Sequence, residues 1–411
     1  MRIAQINMIH FGSTGKIMLQ IAETARDMGH ETMTFSTQPF RVSGKRTQPP
    51  LKDHFYWGSF FENGIHYALG STLARNGYFS FFGTRQLIKQ LEKFKPDVIN
   101  LHNLHSYCIN FPMLFKYIRK NNIRTVWTLH DCWSFTGQYP NFDMIGCDKW
   151  KTGCHHCPQI SAYPKARFDN SKQMWKVKKK WFTGVENMTL VTPSSWLADL
   201  VSQSFLKDYP IRVINNGIDL SVFKPTESDF REKYGIGDKK IILGVAFGFG
   251  ERKGLDVFVE LAKRLDSSKY QIVLVGTDKN TDAILPDNIL SIHRTQNQTE
   301  LAEIYTAADV LANPTREDNY PTVNMEAIAC GTPVVTFDTG GSPEIPNSTC
   351  GSVVARDDID AFEKELIRVC EEKPYSEEAC LMRAAEFDMY KKFKEYVELY
   401  EDRSYSSQRT V

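Results

Sequence analysis

Apolar residues along this chain recur in two rhythms that take turns. Short aliphatic and β-branched runs at 2–7, 31–36, 97–101, 124–129 and 188–192 predict strands. Between them, apolar positions three and four apart predict helices. Ile17, Ile21, Ala22, Ala25 and Met28 share one face of a helix ending near 28, and others fall around 84–94, 111–121 and 194–204. A second series repeats the order: strand 240–246, helix 254–266, strand 270–275, helix 298–308 and strand 309–313. A polar loop, a buried helix stopped by Gly331 and Pro333, and a strand at 333–337 follow. The stretch 376–401 reads as one helix and 403–411 as a frayed end, while 38–82 has no period despite many aromatics. Strand–helix alternation of this kind predicts the α/β class, with parallel sheets covered by helices on both faces. The two series join near 215–219, before a polar connector at 225–238.

Length and charge narrow the function. The chain has 411 residues, room for two domains of about 150–200 residues each. Lys and Arg total 50 against 49 Asp and Glu, so no global field recruits nucleic acid. Hydrophobic residues make up 42% without a long apolar run, which argues against a membrane span. The first residues read as a strand rather than a signal peptide, and nine cysteines without a secretion signal point to reduced thiols in the cytoplasm.

The chemistry concentrates at 313–335. Asp318 lies on the loop after a strand and Glu326, eight positions on, in the helix leaving that loop. Ligands of open α/β sheets bind in such a crevice, and carboxylates there can accept hydrogen bonds from sugar hydroxyls. An acid near a helix start can equally be a dipole partner. The segment resembles the acid–seven residues–acid motif of retaining glycosyltransferases of family 4. That resemblance covers nearly the whole chain and implies a GT-B fold: two facing doubly wound, Rossmann-like domains with a cleft between them. It implies an acceptor-side domain at 1–216, a nucleotide-sugar domain at 217–379, and a segment 380–411 returning to the first. Glu326 matches the acid that holds the ribose hydroxyls. Asp318 stands where the family usually has Glu, with Glu317 beside it, and either could reach the donor sugar. Asn319 completes an Asp-Asn-x-Pro loop similar to the branch that assembles bacterial surface polysaccharides.

Other motifs extend the resemblance. Gly12-Ser-Thr-Gly15-Lys16 opens a helix directly after the first strand, and taken alone it reads as a tight turn. It is neither a Walker loop nor a dinucleotide fingerprint. In place, it is similar to the family's glycine loop, with Gly15 a backbone contact to the donor's diphosphate. Glu251-Arg252-Lys253-Gly254 is similar to the family's Arg…Lys-Gly signature, which puts Lys253 on the departing diphosphate. The family's Arg is Gly248 here, and Arg252 is the candidate substitute. His130, at a strand's carboxyl end, matches the histidine that contacts the donor sugar. Arg294 matches the segment bordering the nucleobase. Residues 102–105 hold His102, Asn103 and His105, either acceptor-side groups or caps.

Two further clusters stay open. Cys147, Cys154 and Cys157, with Cys132, His155 and His156 nearby, suit either a closed structural zinc or loop packing; family relatives carry a further Cys where Tyr139 stands. Lys165, Arg167, Lys172, Lys176 and Lys178–Lys180 surround Trp175, Trp181 and Phe182. This is either a basic–aromatic helix on an anionic membrane or a solvated face. The resemblance implies transfer from a UDP- or GDP-type sugar donor to a hydroxyl of a glycan or lipid-linked oligosaccharide. Anomeric retention is implied, with no cofactor required, in the cytoplasm or at the inner face of the cell membrane. A sugar-nucleotide 2-epimerase of the same architecture, or a non-catalytic membrane-surface adaptor, is the alternative.

Overall fold

The computed structural model describes residues 1–37, 51–105 and 107–402. The frayed end expected at 403–411 and the start of the aperiodic stretch lie outside them. The chain divides into two units, one of residues 1–214 and 393–411, the other of residues 215–392.

The first unit is a parallel sheet of seven strands. They are β1 (Arg2–Ile6), β2 (Glu31–Thr37), β3 (His54–Trp57), β4 (Val98–Leu101), β5 (Arg124–Thr128), β6 (Met188–Thr192) and β7 (Ile211–Val213). Their order is β3-β2-β1-β4-β5-β6-β7. The second unit holds β8 (Lys240–Val245), β9 (Tyr270–Val275), β10 (Ile289–Ile292), β11 (Val310–Asn313), β12 (Val334–Phe337) and β13 (Gly351–Val354), ordered β10-β9-β8-β11-β12-β13. Both sheets are doubly wound and reverse direction between their first and fourth strands. At such a switch point the strand ends leave an open crevice for ligands. The apolar strands pack on both faces: Ile241 and Leu243 join one core cluster of the second unit, Ile242 and Leu274 the other.

Among the helices, sequence expectation and structure differ at three places. The segment expected to be aperiodic contains a helix, Phe60–Leu73, whose buried residues are Asn63, His66 and Gly70. Its apolar residues point outward, which erases the usual signature. The single helix expected at 376–401 is broken: Glu377–Ala384 and Met389–Glu401 flank a short turn, and Ile218 N–H donates to the Phe387 carbonyl there. The helix Ile359–Glu372, with Phe362, Leu366, Val369 and Cys370 buried, was not anticipated at all.

The first unit buries several imidazoles. His66 is held between Ser80 Oγ at 2.7 Å and the Gly77 N–H at 3.2 Å. Burial lowers its pKa to about 3, and burial lowers those of His54 and His130 to about 4. His102 is pulled well below its ordinary value by burial and by His130. These rings are neutral when folded but bind protons below about pH 6.5 when unfolded. Stability is therefore present above that value and is lost as the pH falls toward the folded-state values. All seven tryptophans precede residue 215, so tryptophan fluorescence reports this unit alone. Its melting midpoint should drop steadily as the pH is lowered from 6.5 toward 4. A constant midpoint across that window would contradict neutral burial of these rings.

Candidate active site

In the second unit the candidate residues leave the two strands that flank the switch point. After β8 the chain makes a short turn, Glu251–Lys253. After β11 it runs through 314–321 into the helix Thr322–Ala329. Two bonds to backbone carbonyls stitch the two loops: Arg316 N–H donates to the Arg252 carbonyl at 2.9 Å, and Arg252 Nη1 donates to the Glu317 carbonyl at 3.0 Å. The Lys253 ammonium pairs with the Asp318 carboxylate, and both side chains keep part of their surface in solvent. Glu317, next in sequence, is buried, while Asp318, Asn319 and Glu326 are half-buried.

Arg316 carried no sequence signal beyond its place in the motif, yet it fixes this geometry. Nη1 and Nη2 donate to the two Asp256 carboxylate oxygens at 2.7 Å each, Nε to Asp357 at 2.6 Å, and Nη1 also to the Glu251 carbonyl at 2.6 Å. A planar guanidinium can satisfy such a fork; a lysine cannot. Asp256 is thereby held below the ordinary carboxylate range, chiefly by its hydrogen bonds from Arg316. From the other side the Gly341 N–H donates to the Asp318 carbonyl at 3.1 Å. Gly340 (φ 58°) lies so close that a Cβ would sit 1.8 Å from that oxygen, so only glycine fits. Glu326 is set from behind by Tyr305, whose hydroxyl donates to Oε2 at 3.0 Å. Burial, and then that carboxylate, push the Tyr305 pKa well above its ordinary value, so it stays a donor. Arg294 is exposed at the end of the edge strand β10, two strands away from β8.

The first unit gathers polar groups at the ends of β1, β4 and β5. Gly15 is buried, and a Cβ there would sit 2.5 Å from the His10 carbonyl carbon, so close packing on the preceding loop already requires glycine. His130 Nε2 lies 3.1 Å from His102 Nδ1 with the rings stacked. His102 in turn meets Gln5 at 2.9 Å, and Gln5 and Asn100 both donate to Tyr400 of the last helix. Asp131 is the hub beside them. It accepts from His105 Nε2 at 2.8 Å, Asn103 Nδ2 at 3.1 Å and the Trp133 N–H at 2.8 Å. Burial raises its pKa, but the His105 pairing and these bonds outweigh that and leave it below the ordinary value. The structure thus joins His105 and Asn103 to a carboxylate, a coupling their spacing did not reveal.

Two expectations change. Lys178 does not face a membrane: it is fully buried, its Nζ 3.3 Å from the Trp133 ring centre and donating to the Trp133 and Thr136 carbonyls at 2.7 and 3.0 Å. Trp181 and Phe182 are core residues, because they lie on the same inward face of the helix Ser171–Phe182. Cys147, Cys154 and Cys157 line one small cavity with Tyr139 and Trp150. Burial raises the Cys154 thiol to about 11, and its Sγ accepts the Gly137 N–H at 3.2 Å. Among the described residues no group of three His, Cys, Asp or Glu side chains is arranged to hold a metal ion.

Solved structures of low sequence identity share this architecture, which defines the class as GT-B. Sucrose-phosphate synthase from Thermosynechococcus elongatus matches with a TM-score of 0.70 at 17% identity, over 97% of this chain and 98% of that one. The Anabaena protein HepE, solved in complex with UDP, matches at 0.67 and 14% identity, over 98% and 100%. Residues 14–222 match the model described as Glycosyltransferase Family 4 and residues 226–386 the model described as Glycosyl transferases group 1. The chain belongs to glycosyltransferase family 4. It is 27% identical over 271 residues to the putative colanic acid biosynthesis glycosyl transferase WcaC of Escherichia coli strain K12, a match spanning 64% of this chain and 65% of WcaC. It is 26% identical over 189 residues to the D-inositol 3-phosphate glycosyltransferase of Mycolicibacterium smegmatis, spanning 43% of this chain and 42% of that protein.

Replacing Arg316 with Met should destabilise the protein by about 1–3 kcal/mol, since several charge-assisted bonds are lost but both aspartates can return to water. Arg316→Lys should recover only a fraction. Thermal unfolding followed by circular dichroism checks this, and a wild-type profile for Arg316→Met would contradict it.

Proposed function

We propose that this protein transfers a sugar from a UDP- or GDP-type donor to a hydroxyl of a lipid-linked glycan during bacterial surface-polysaccharide assembly, with retention at the anomeric carbon. The observation that carries the reading is the Lys253–Asp318 pair beside the switch point, with Glu326 on the helix that follows. Glu326, oriented by Tyr305, accepts the ribose hydroxyls. Lys253 exchanges its partner Asp318 for the donor's diphosphate, which leaves the Asp318 carboxylate to accept from the donor sugar. We assign that role to Asp318 because Glu317 is the more deeply buried acid. Arg252 and Asn319 flank the diphosphate and sugar, and Arg294 borders the base.

The anomeric C–O bond to phosphate breaks and the acceptor oxygen bonds to the same face. The acceptor proton passes to the departing phosphate oxygen, whose charge Lys253 offsets. In the first unit His130 is neutral, because burial lowers its pKa to about 4, so it acts as a hydrogen-bond partner rather than as a cation. No metal is assigned a step, and the three cavity thiols enter as loop packing. The work takes place in the cytoplasm at the inner face of the cell membrane. Consistent with a peripheral enzyme, no helix among the described residues is long and apolar enough to cross a membrane.

Glu326→Gln should weaken binding of the nucleotide that the wild type binds, UDP or GDP, by about 1.5–3 kcal/mol in calorimetry. Lys253→Ala should cut turnover far more than Arg252→Ala, because charge on the leaving group is largest in the transition state. Unchanged nucleotide affinity in the first, or equal small losses in the second, would contradict these roles.

A further inference from the structure

The helix Phe60–Leu73 is amphipathic the wrong way round. Its buried residues are Asn63, His66 and Gly70. A Cβ on Gly70 would sit 2.7 Å from the Tyr107 ring, so the helix is seated by a close approach and by polar bonds rather than by apolar burial. Phe61, Ile65, Leu69 and Leu73, spaced four apart, form a continuous exposed stripe instead, with Phe61 at 76% exposure. Phe81 and Phe82 extend the patch, Phe82 at 78% exposure. The helix Phe60–Leu73 is fixed to the start of the helix Phe81–Phe94 by Glu62, whose carboxylate accepts the Phe82 and Gly83 N–H groups at 2.8 Å each. That bond consumes the only acid in the first helix, so its outer stripe carries no negative charge.

Cations rim the stripe. Arg75 follows the helix directly, and exposed Arg85 lies one turn beyond Phe81. The segment bearing exposed Lys165, Arg167 and Phe168 is tied to the helix by the Arg167 N–H, which donates to the Ser71 carbonyl at 3.0 Å. Contiguous exposed apolar surface of this kind marks an interaction site, and a cationic rim selects an anionic partner. A symmetric pair of chains would lay this patch on its own copy and bring like charges together. We propose that the stripe Phe61–Ile65–Leu69–Leu73, with Phe81 and Phe82, docks on an anionic lipid bilayer, the apolar side chains entering the headgroup boundary while the cations meet lipid phosphates. The docking surface is thus this stripe, not the helix Ser171–Phe182, whose aromatic face is buried. The idea deepens the reading of the acceptor as lipid-linked and rests on it for its purpose.

The test is flotation of the full chain with phosphatidylcholine vesicles, with and without phosphatidylglycerol. Wild type should float with the anionic vesicles and much less with the neutral ones. Phe61→Asp combined with Leu69→Asp should reduce that binding about tenfold or more. Both positions are exposed, so the tryptophan-detected melting midpoint should stay at the wild-type value. Lys176→Gln with Lys179→Gln, on the solvated face of the other helix, should lose much less. Wild-type flotation by the double aspartate variant would overturn the proposal. So would a wild-type dimer in sedimentation that this variant converts to monomer, since the stripe would then cover a second copy. UDP and GDP binding, measured on the same protein, separates the two readings: nucleotide bound without flotation sinks the membrane surface alone, and flotation without nucleotide sinks the transferase reading alone.

Discussion

One guanidinium sets the spacing on which the second unit's chemistry depends. Arg316 sits on the loop after β11 and bonds Asp256, Asp357 and the Glu251 carbonyl, all outside its own loop. Two loops that diverge from neighbouring parallel strands have no backbone ladder to hold them together beyond the strand ends. Arg316 replaces that ladder with charge-assisted bonds of fixed direction, and the turn bearing Lys253 is carried to Asp318 as a result. The Lys253–Asp318 pair is then a consequence of position. Each partner keeps only part of its surface in solvent, Lys253 19% and Asp318 24% of the side chain.

The first unit solves a different problem. Its strand ends are lined with imidazoles and amides, bonded in sequence from Tyr400 through Gln5 and Asn100 to His102 and His130. Neutral rings in such a chain orient one another without placing a net charge in the interior. The carboxylate in the group, Asp131, is compensated by His105 and by N–H donors. Tyr400 enters from the end of the chain, so the last helix contributes to the polar floor of this unit as well as to its packing.

Much of this was legible in the sequence where one rhythm dominated. The buried strands β1, β5, β6 and β9 and the helices Phe111–Asn121 and Gln298–Ala307 follow their apolar period closely. The short edge strands β3, β7, β10 and β13 did not stand out, because three or four residues are too few for a period to show. The helix Phe60–Leu73 was hidden by its inversion: the period was present, but its apolar face belongs to a surface rather than to the core. The motif acids and Lys253 were visible because their spacing along the chain is local. Arg316, Tyr305 and Asp131 were not, since their side-chain partners lie 21 to 60 residues away and only folding brings them together. Lys178 misled for the same reason, as a lysine in a basic run carries no sign that two carbonyls and a tryptophan face await it.

The central claim is that the second unit binds the nucleotide diphosphate through the loops after β8 and β11. Amide hydrogen exchange on the full chain, with and without saturating UDP or GDP, tests it most directly. The account predicts slowed exchange concentrated in residues 247–254 and 314–326, with the edge strand β13 and the helix Ile359–Glu372 unaffected. Protection confined to the first unit, or none in either segment with a nucleotide that demonstrably binds, would contradict it.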